Sequence, residues 1–223
     1  MIHLRRRLPV LGLALAAVIG LTGAVGPSAP PRAVATATTA QQDNFTPGPY
    51  HSRLEPLVGT WQAVKYNWLL GDGDEPATSR DFTVDVRWIE GTGGRFLSEE
   101  TRGTLAGMDY YRHGVLGFSN VDRRYEWTTF DSVTPTTMTY RGDPVDAEGT
   151  ARRGHGARTV ISIPGEFTDP GVLGPECAGK TIPMRTEITI RPNDRHVIDL
   201  YFTPPGQEER LVDRVVYLRR TDA

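Results

Sequence analysis

The chain has 223 residues, which is enough for one domain with a sizeable core but short for two. Hydrophobic residues make up 38% and charged residues 23%, and this balance excludes an intrinsically disordered chain. The formal net charge is −2 and no basic block interrupts the body of the chain, so we expect no nucleic-acid partner.

Residues 1–35 have the pattern of a bacterial signal peptide. Arginines occupy positions 5–7, a short apolar run covers 8–21, and Ala-Val-Ala at 33–35 forms a cleavage pattern. The apolar run is shorter than the roughly 20 residues of a membrane-spanning helix. We therefore expect an exported protein, secreted or in the cell envelope, with no stable membrane span after cleavage. An uncleaved N-terminal anchor is the alternative.

The remainder of the chain divides into a leader and one domain. Residues 36–49 are rich in Thr, Ala, Gln and Pro without an apolar period, which predicts a flexible leader. Residues 50–223 are expected to form a single domain that opens with a short helical turn within 51–57. The strand-like runs that follow cover 60–70, 80–90, 95–102, 110–118, 124–131, 136–140, 158–163, 184–190, 196–202 and 211–219.

These runs predict an all-β domain of about ten short antiparallel strands. Phe82, Val84, Val86 and Trp88 illustrate the pattern, because each alternates with a polar neighbour. Gly, Pro, Asn and Asp separate the runs, and no long helical pattern competes with them. Such a chain forms a sandwich or an up-and-down barrel, and the hairpin-length connections favour an antiparallel meander.

Several segments, in order, resemble a bacterial family catalogued as domain of unknown function 1579. The string His-Ser-Arg-Leu-Glu-Pro-Leu-Val-Gly-Thr-Trp at 51–61 is similar to the opening of that family, and Gly-Arg-Phe-Leu at 94–97 is similar to a later segment. Further landmarks of the resemblance lie at 114–118, 125–132, 168–170, 196–198 and 217–220. The resemblance covers roughly residues 50–220, with an apparent insertion at 143–157. It implies a single antiparallel lipocalin-like β-barrel and no established activity.

Trp61 and Arg219 are predicted to have a structural role. Gly59-Thr60-Trp61 resembles the first strand of lipocalin-type barrels, in which the Trp plugs the closed end and an Arg of the last strand lies across it. Arg219 is the matching candidate, and a guanidinium over an indole gains about 0.5–2 kcal/mol. The alternative is that Trp61 is only a core aromatic residue.

His196 is expected to point into the barrel near the end of its strand. It shares one face with Ile198, Leu200 and Phe202. An inward His is able to ligate haem iron or to donate a hydrogen bond to a bound ligand. The alternative is a His at the barrel rim that is bonded to a backbone carbonyl.

No pattern in the chain predicts a catalytic or metal-binding centre. Glu99 and Glu100 are sequence neighbours, so on a strand they face opposite sides and do not act as a pair. The acidic residues at 72–75 lack the spacing of a calcium loop. Cys177 is the only cysteine, which excludes an intrachain disulfide and a Cys-rich zinc site.

The sequence therefore favours a small-molecule binding barrel over an enzyme. Barrels of this size are just wide enough for one small ligand, held by apolar walls and a few polar groups. We expect a small apolar or amphipathic ligand. The alternatives are a structural or interaction barrel with a filled core, or a barrel enzyme or haem binder that uses His196. The oligomeric state stays open. The predicted ligand-binding residues are Trp88, Arg95, Phe96, Tyr125, Trp127 and His196.

Overall fold

The computed structural model of the protein describes residues 44–145, 152–154, 158–191 and 194–220. Among the elements that lie wholly within these residues are a short α-helix, α1 at Pro49–Ser52, and two 3-10 helices at Glu55–Leu57 and Glu90–Thr92. The strands are β1 Gly59–Asp72, β2 Glu75–Trp88, β3 Phe96–Leu105, β4 Met108–Ser119, β5 Arg124–Asp131, β6 Met138–Arg141, β7 Arg152–Gly154, β8 Arg158–Thr168, β9 Thr181–Arg191, β10 Arg195–Phe202 and β11 Arg210–Arg219. The predicted signal peptide and most of the predicted leader lie outside the described residues.

Ten of these strands close into an antiparallel barrel, as predicted. Neighbours in the sheet follow the order β6-β5-β4-β3-β2-β1-β11-β10-β9-β8, and β6 also pairs with β8 to complete the ring. This seam is short, because only two residue pairs, Thr139–Glu166 and Tyr140–Gly165, join β6 to β8. β7 pairs with β8 outside the ring.

Strand alternation places the apolar side chains inside the barrel. In β2 the side chains of Phe82, Val84 and Val86 are buried. The structure differs from the expectation mainly at strand ends, since β2 begins at Glu75 and β8 continues to Thr168. Pairing with the neighbouring strands supplies hydrogen-bond partners for the backbone N–H and C=O groups there, even where apolar and polar residues no longer alternate. β7 also falls within the predicted insertion.

One end of the barrel is closed by the segment that precedes β1. Leu54 and Leu57 are buried there beside Trp61, whose indole nitrogen donates to the Leu57 carbonyl over 2.9 Å. Residues of the predicted leader also contact this end, because the Asn120 amide donates to the Thr46 carbonyl over 2.8 Å. In the part of the chain that the structure describes, no helix has the length and apolar character needed to cross a membrane.

Candidate functional site

The opposite end of the barrel contains a cavity of about 330 Å³. This volume lies at the low end of the range of roughly 300–1,000 Å³ that is usual for ligand pockets. The apolar part of its wall comes from strands all around the ring and from the loops at their ends. These apolar lining residues are Leu69, Leu70, Leu105, Met108, Val133, Met138, Phe167, Val172, Ile198, Leu200, Phe202 and Val212.

Polar side chains form the deeper part of the cavity. Lys65 Nζ lies 2.5 Å from Asp213 Oδ2, and the Asn67 amide donates to the other Asp213 oxygen over 3.1 Å. Lys65 and Asp213 are both buried. Buried charges need partners of this kind, since an uncompensated one is strongly destabilising. The cavity therefore combines an apolar wall with an internally paired ionic group.

A bulge in β11 explains why two consecutive residues line the cavity. Leu200 pairs with Asp213 and Tyr201 with Leu211, so Val212 is left over between them. An extra residue in one strand breaks the alternation of side chains. As a result, Val212 and Asp213 both border the cavity instead of facing opposite sides of the sheet.

Arg112 is the second cation at the cavity, at the middle of β4. Its nearest guanidinium nitrogen lies 3.6 Å from a Glu99 oxygen, and its guanidinium carbon lies 4.7 Å from the centre of the Trp127 ring. The Thr101 hydroxyl also donates to Glu99 over 3.3 Å. Glu99 is buried, whereas Glu100 on the other face pairs with Arg102, as the alternation of the strand predicts.

Two tyrosines complete the polar region. Tyr110 and Tyr140 are both buried and both border the cavity. Burial raises the pKa of Tyr140 to about 12 and raises the pKa of Tyr110 well above its usual value. Both hydroxyls are therefore neutral near pH 7 and are able to donate or accept a hydrogen bond without adding charge.

None of the six predicted ligand-binding residues borders this cavity. Trp88, Arg95 and Tyr125 lie at the closed end. There the Trp88 nitrogen donates to Glu55, the Arg95 Nε donates to the Thr92 carbonyl, and the Tyr125 hydroxyl donates to the Tyr50 carbonyl.

Phe96 lies on the outer face of β3. It alternates with the buried Leu97, and its ring covers the place where a side chain at Gly117 would stand. An aromatic ring on this face packs against the outside of the barrel. It has no path to the cavity through the sheet.

Trp127 and His196 both lie inside the barrel, at a second, much smaller void. This void measures about 10 Å³ and lies toward the closed end. Trp127 stacks on Tyr140, with 5.4 Å between ring centres, and so reaches the large cavity only through its neighbours.

His196 is enclosed by aromatic rings at the closed end. It stacks on Tyr217 at 4.0 Å and meets the edge of Trp61 at 4.4 Å, both between ring centres. Burial, and then the charge of Arg219, lower the pKa of His196 to about 3, so it is neutral at ordinary pH. A void of about 10 Å³ has no space for a porphyrin, so the surroundings of His196 do not fit haem.

Trp61 and Arg219 are in the arrangement that the resemblance to lipocalin-type barrels implies. The Arg219 guanidinium carbon lies 4.1 Å from the centre of the Trp61 ring. The same guanidinium donates to the carbonyls of Val58 and Pro56 and to Asp194. Arg219 thus ties the last strand to the segment that closes the barrel.

Lys65 and Arg112 border the cavity but were not predicted as site residues, although a weak signal for them is present in the sequence. Lys65 shares its strand face with Trp61 and Ala63, and Arg112 shares its face with Tyr110 and Leu116. A charged residue in a run of inward positions indicates a buried polar group. Within the described residues, no group of three or more His, Cys, Asp or Glu side chains is arranged to hold a metal ion.

The fold and the cavity together define a class: a ten-stranded antiparallel barrel that is closed at one end and hollow at the other. The chain belongs to the family described as "Protein of unknown function (DUF1579)", whose sequence pattern matches residues 46–219. No curated protein matches the chain significantly. A similar solved structure is that of Rv2717c from M. tuberculosis, with 18% identity and a TM-score of 0.49. That match covers 78% of this chain and 99% of the other.

Proposed function

We propose that the protein binds a small amphipathic molecule in the cavity at the open end of the barrel. The observation that carries the proposal is the combination of a volume of about 330 Å³ with an apolar wall and a polar floor. Apolar walls supply affinity, and a few polar groups fix the orientation of the ligand. A structural barrel would instead be expected to fill this space with side chains.

A fluorescent apolar probe, N-phenyl-1-naphthylamine, tests whether the cavity takes a ligand. We expect its emission to rise on addition of the protein and to fall again when single-chain lipids compete for the site. The variant Leu200→Trp fills the cavity from β10, where Leu200 is only partly buried, and is expected to weaken probe binding.

Val121→Trp is the matched control for this experiment. Val121 is 72% exposed in the turn between β4 and β5, at the closed end. The same side chain added there should leave probe binding unchanged. Equal binding by wild type, Leu200→Trp and Val121→Trp would place the probe outside the cavity and contradict the proposal.

We also propose that the protein is exported, as the pattern of residues 1–35 indicates. Expression of the full chain in a bacterial host, followed by mass spectrometry of the secreted and envelope fractions, tests this. A mature form that begins near Thr36 is expected. A full-length form confined to the cytoplasm would contradict the proposal.

Native mass spectrometry of the same exported material searches for the natural ligand. We expect an added mass that is lost on denaturation, and this mass identifies the chemical class of the ligand. Material without added mass that also fails to bind the fluorescent probe would favour a purely structural barrel.

A further inference from the structure

Arg112 differs from the other charged groups at the cavity in how its hydrogen-bonding capacity is used. No oxygen of the described residues accepts a hydrogen bond from its guanidinium. The contact with Glu99 is 3.6 Å long, which is beyond hydrogen-bonding distance. The side chain is nevertheless only 12% exposed. It borders the cavity.

The other charged groups of the lining all have partners. Lys65 and Asp213 pair with each other, and Asp213 also accepts from Asn67. Asp131 accepts from the backbone N–H groups of Val133 and Thr134, over 2.9 and 2.6 Å. Three carboxylates, on Glu99, Asp131 and Asp213, thus lie near the two cations of the cavity. Both Asp213 oxygens accept hydrogen bonds, and Glu99 and Asp131 each accept through one oxygen. Among the charged groups of the lining, Arg112 is the one whose side chain makes no hydrogen bond within the described residues.

A guanidinium with unused donors in a nearly closed site favours one kind of ligand group. It presents five N–H donors in a planar fork, which match the two oxygens of a carboxylate. Charge-assisted, bidentate hydrogen bonds of this type are about twice as strong as neutral ones. Folding has already removed most of the water from the guanidinium. The hydrogen bonds that a ligand forms with it therefore contribute more fully to the binding free energy.

We infer that the ligand is a single-chain amphiphile with a carboxylate head, and that Arg112 binds this head. The inference rests on the proposed function and names the ligand class for the same cavity. A volume of about 330 Å³ suits one chain better than a two-chain lipid.

The position of Arg112 in its strand sets the orientation of the ligand. Arg112 is four residues from Met108, the first residue of β4, which places it roughly 13 Å from that rim along the tilted strand. The rim itself is apolar, with Leu70, Met108 and Val172 among its residues. The head therefore lies deep, beside the neutral hydroxyls of Tyr110 and Tyr140, and the tail extends toward the opening.

Three ligands with the same chain and different heads test the inference. Dodecanoate, dodecanol and dodecyltrimethylammonium are titrated below their micelle-forming concentrations by displacement of N-phenyl-1-naphthylamine. Isothermal titration calorimetry of each ligand with the protein, without the probe, then checks the affinities. We expect dodecanoate to bind about tenfold tighter than dodecanol and the cation to bind weakest. In Arg112→Gln, the affinity for dodecanoate should fall about tenfold, while the affinity for dodecanol should change little.

Two further variants separate loss of the head contact from loss of the fold. Arg112→Gln leaves Glu99 buried without its counter-ion, so the double variant Glu99→Gln/Arg112→Gln removes both charges. This double variant should bind dodecanoate and dodecanol alike. Arg87→Gln is the matched surface control, since Arg87 pairs with exposed Asp85 outside the barrel, and it should behave as wild type.

Each outcome bears on one of the two proposals. Equal binding of the three ligands by wild type would overturn the carboxylate inference and leave the proposed function standing. A preference for dodecanoate that persists in Arg112→Gln and in the double variant would overturn the role of Arg112. Failure of the probe and of all three ligands to bind would instead count against the proposed function itself.

Discussion

Arg219 joins the last strand to the segment that closes the barrel. Its guanidinium covers Trp61 at 4.1 Å and donates to the carbonyls of Val58 and Pro56. Arg219→Ala removes a cation–π contact and several charge-assisted hydrogen bonds. We therefore expect it to lower the free energy of unfolding by about 2 kcal/mol, measured by urea denaturation.

Arg87→Ala is the control for this change. The Arg87 side chain is 64% exposed and pairs with Asp85, which is also exposed. Loss of such a surface pair is expected to alter the free energy of unfolding by less than about 0.5 kcal/mol. Similar losses in both variants would contradict the structural role of Arg219.

His196 makes the stability of the protein depend on pH. Its pKa in the folded protein is about 3, lowered by burial and by the charge of Arg219, whereas an unfolded His titrates near 6.5. Between these values the unfolded chain binds a proton that the folded protein excludes. The contribution of His196 to the free energy of unfolding is therefore full above about pH 6.5. It is lost progressively toward pH 3, by up to about 1.4 kcal/mol per pH unit.

The variant His196→Phe tests this dependence, because it retains an aromatic ring and removes the titrating group. We expect its unfolding free energy, measured by urea denaturation from pH 7 to pH 4, to fall less steeply than that of wild type. Some slope should remain, since burial also lowers the pKa of His51. Equal slopes in the two proteins would contradict the expected role of His196.

Residue-level prediction from sequence succeeds where alternation alone decides the orientation. The inward orientation of His196 and the separation of Glu99 from Glu100 follow from it. Lys65 shows its limit, because its partner Asp213 is 148 residues away and the pair depends on the register of β1 against β11. Val212 shows a second limit, because it is the extra residue of a bulge, which alternation does not reveal.

At the level of elements, the seam between β6 and β8 is the shortest strand pairing of the ring. A Cβ atom at Gly165 would lie 2.4 Å from the Thr139 carbonyl oxygen and 2.9 Å from the Tyr140 Cα. Both neighbours are backbone, so Gly165→Ala must move the strands apart. We expect a loss of about 1–3 kcal/mol in the free energy of unfolding, together with faster amide hydrogen exchange in β6.

Gly91→Ala is the comparison for this prediction. A Cβ atom at Gly91 would have no neighbour within 4 Å, so no backbone has to move. Its unfolding free energy and the exchange of the β6 amides should match those of wild type. Unchanged exchange in Gly165→Ala would show that the seam tolerates the added methyl group.

The elements themselves were largely predictable, because ten strands have either clear alternation or flanking turn residues. β5 was predicted at its observed bounds, 124–131. β7 was not, since three residues within an apparent insertion are too few for a pattern, and β7 pairs only with β8. The closure of β6 on β8 is a long-range contact, and only the family resemblance implied it.

At the scale of the whole molecule, ligand binding should stabilise the barrel. A ligand that binds only the folded protein at a hundred times its Kd adds about 2.7 kcal/mol. For a domain of this size, this corresponds to a rise in Tm of roughly 5–11 °C. Differential scanning calorimetry with dodecanoate measures the shift, and its absence in Leu200→Trp is the control. An equal shift in that variant would indicate binding elsewhere.

The opening at one end of the described barrel also has a kinetic consequence. Leu54, Leu57 and Trp61 close one end, so a ligand must arrive and depart through the same rim. If Arg112 holds the head, the charged group travels inward first and must shed its water while it passes apolar side chains. Both association and dissociation are then slowed by this passage, and the tail is the first part of the ligand to meet an acceptor outside.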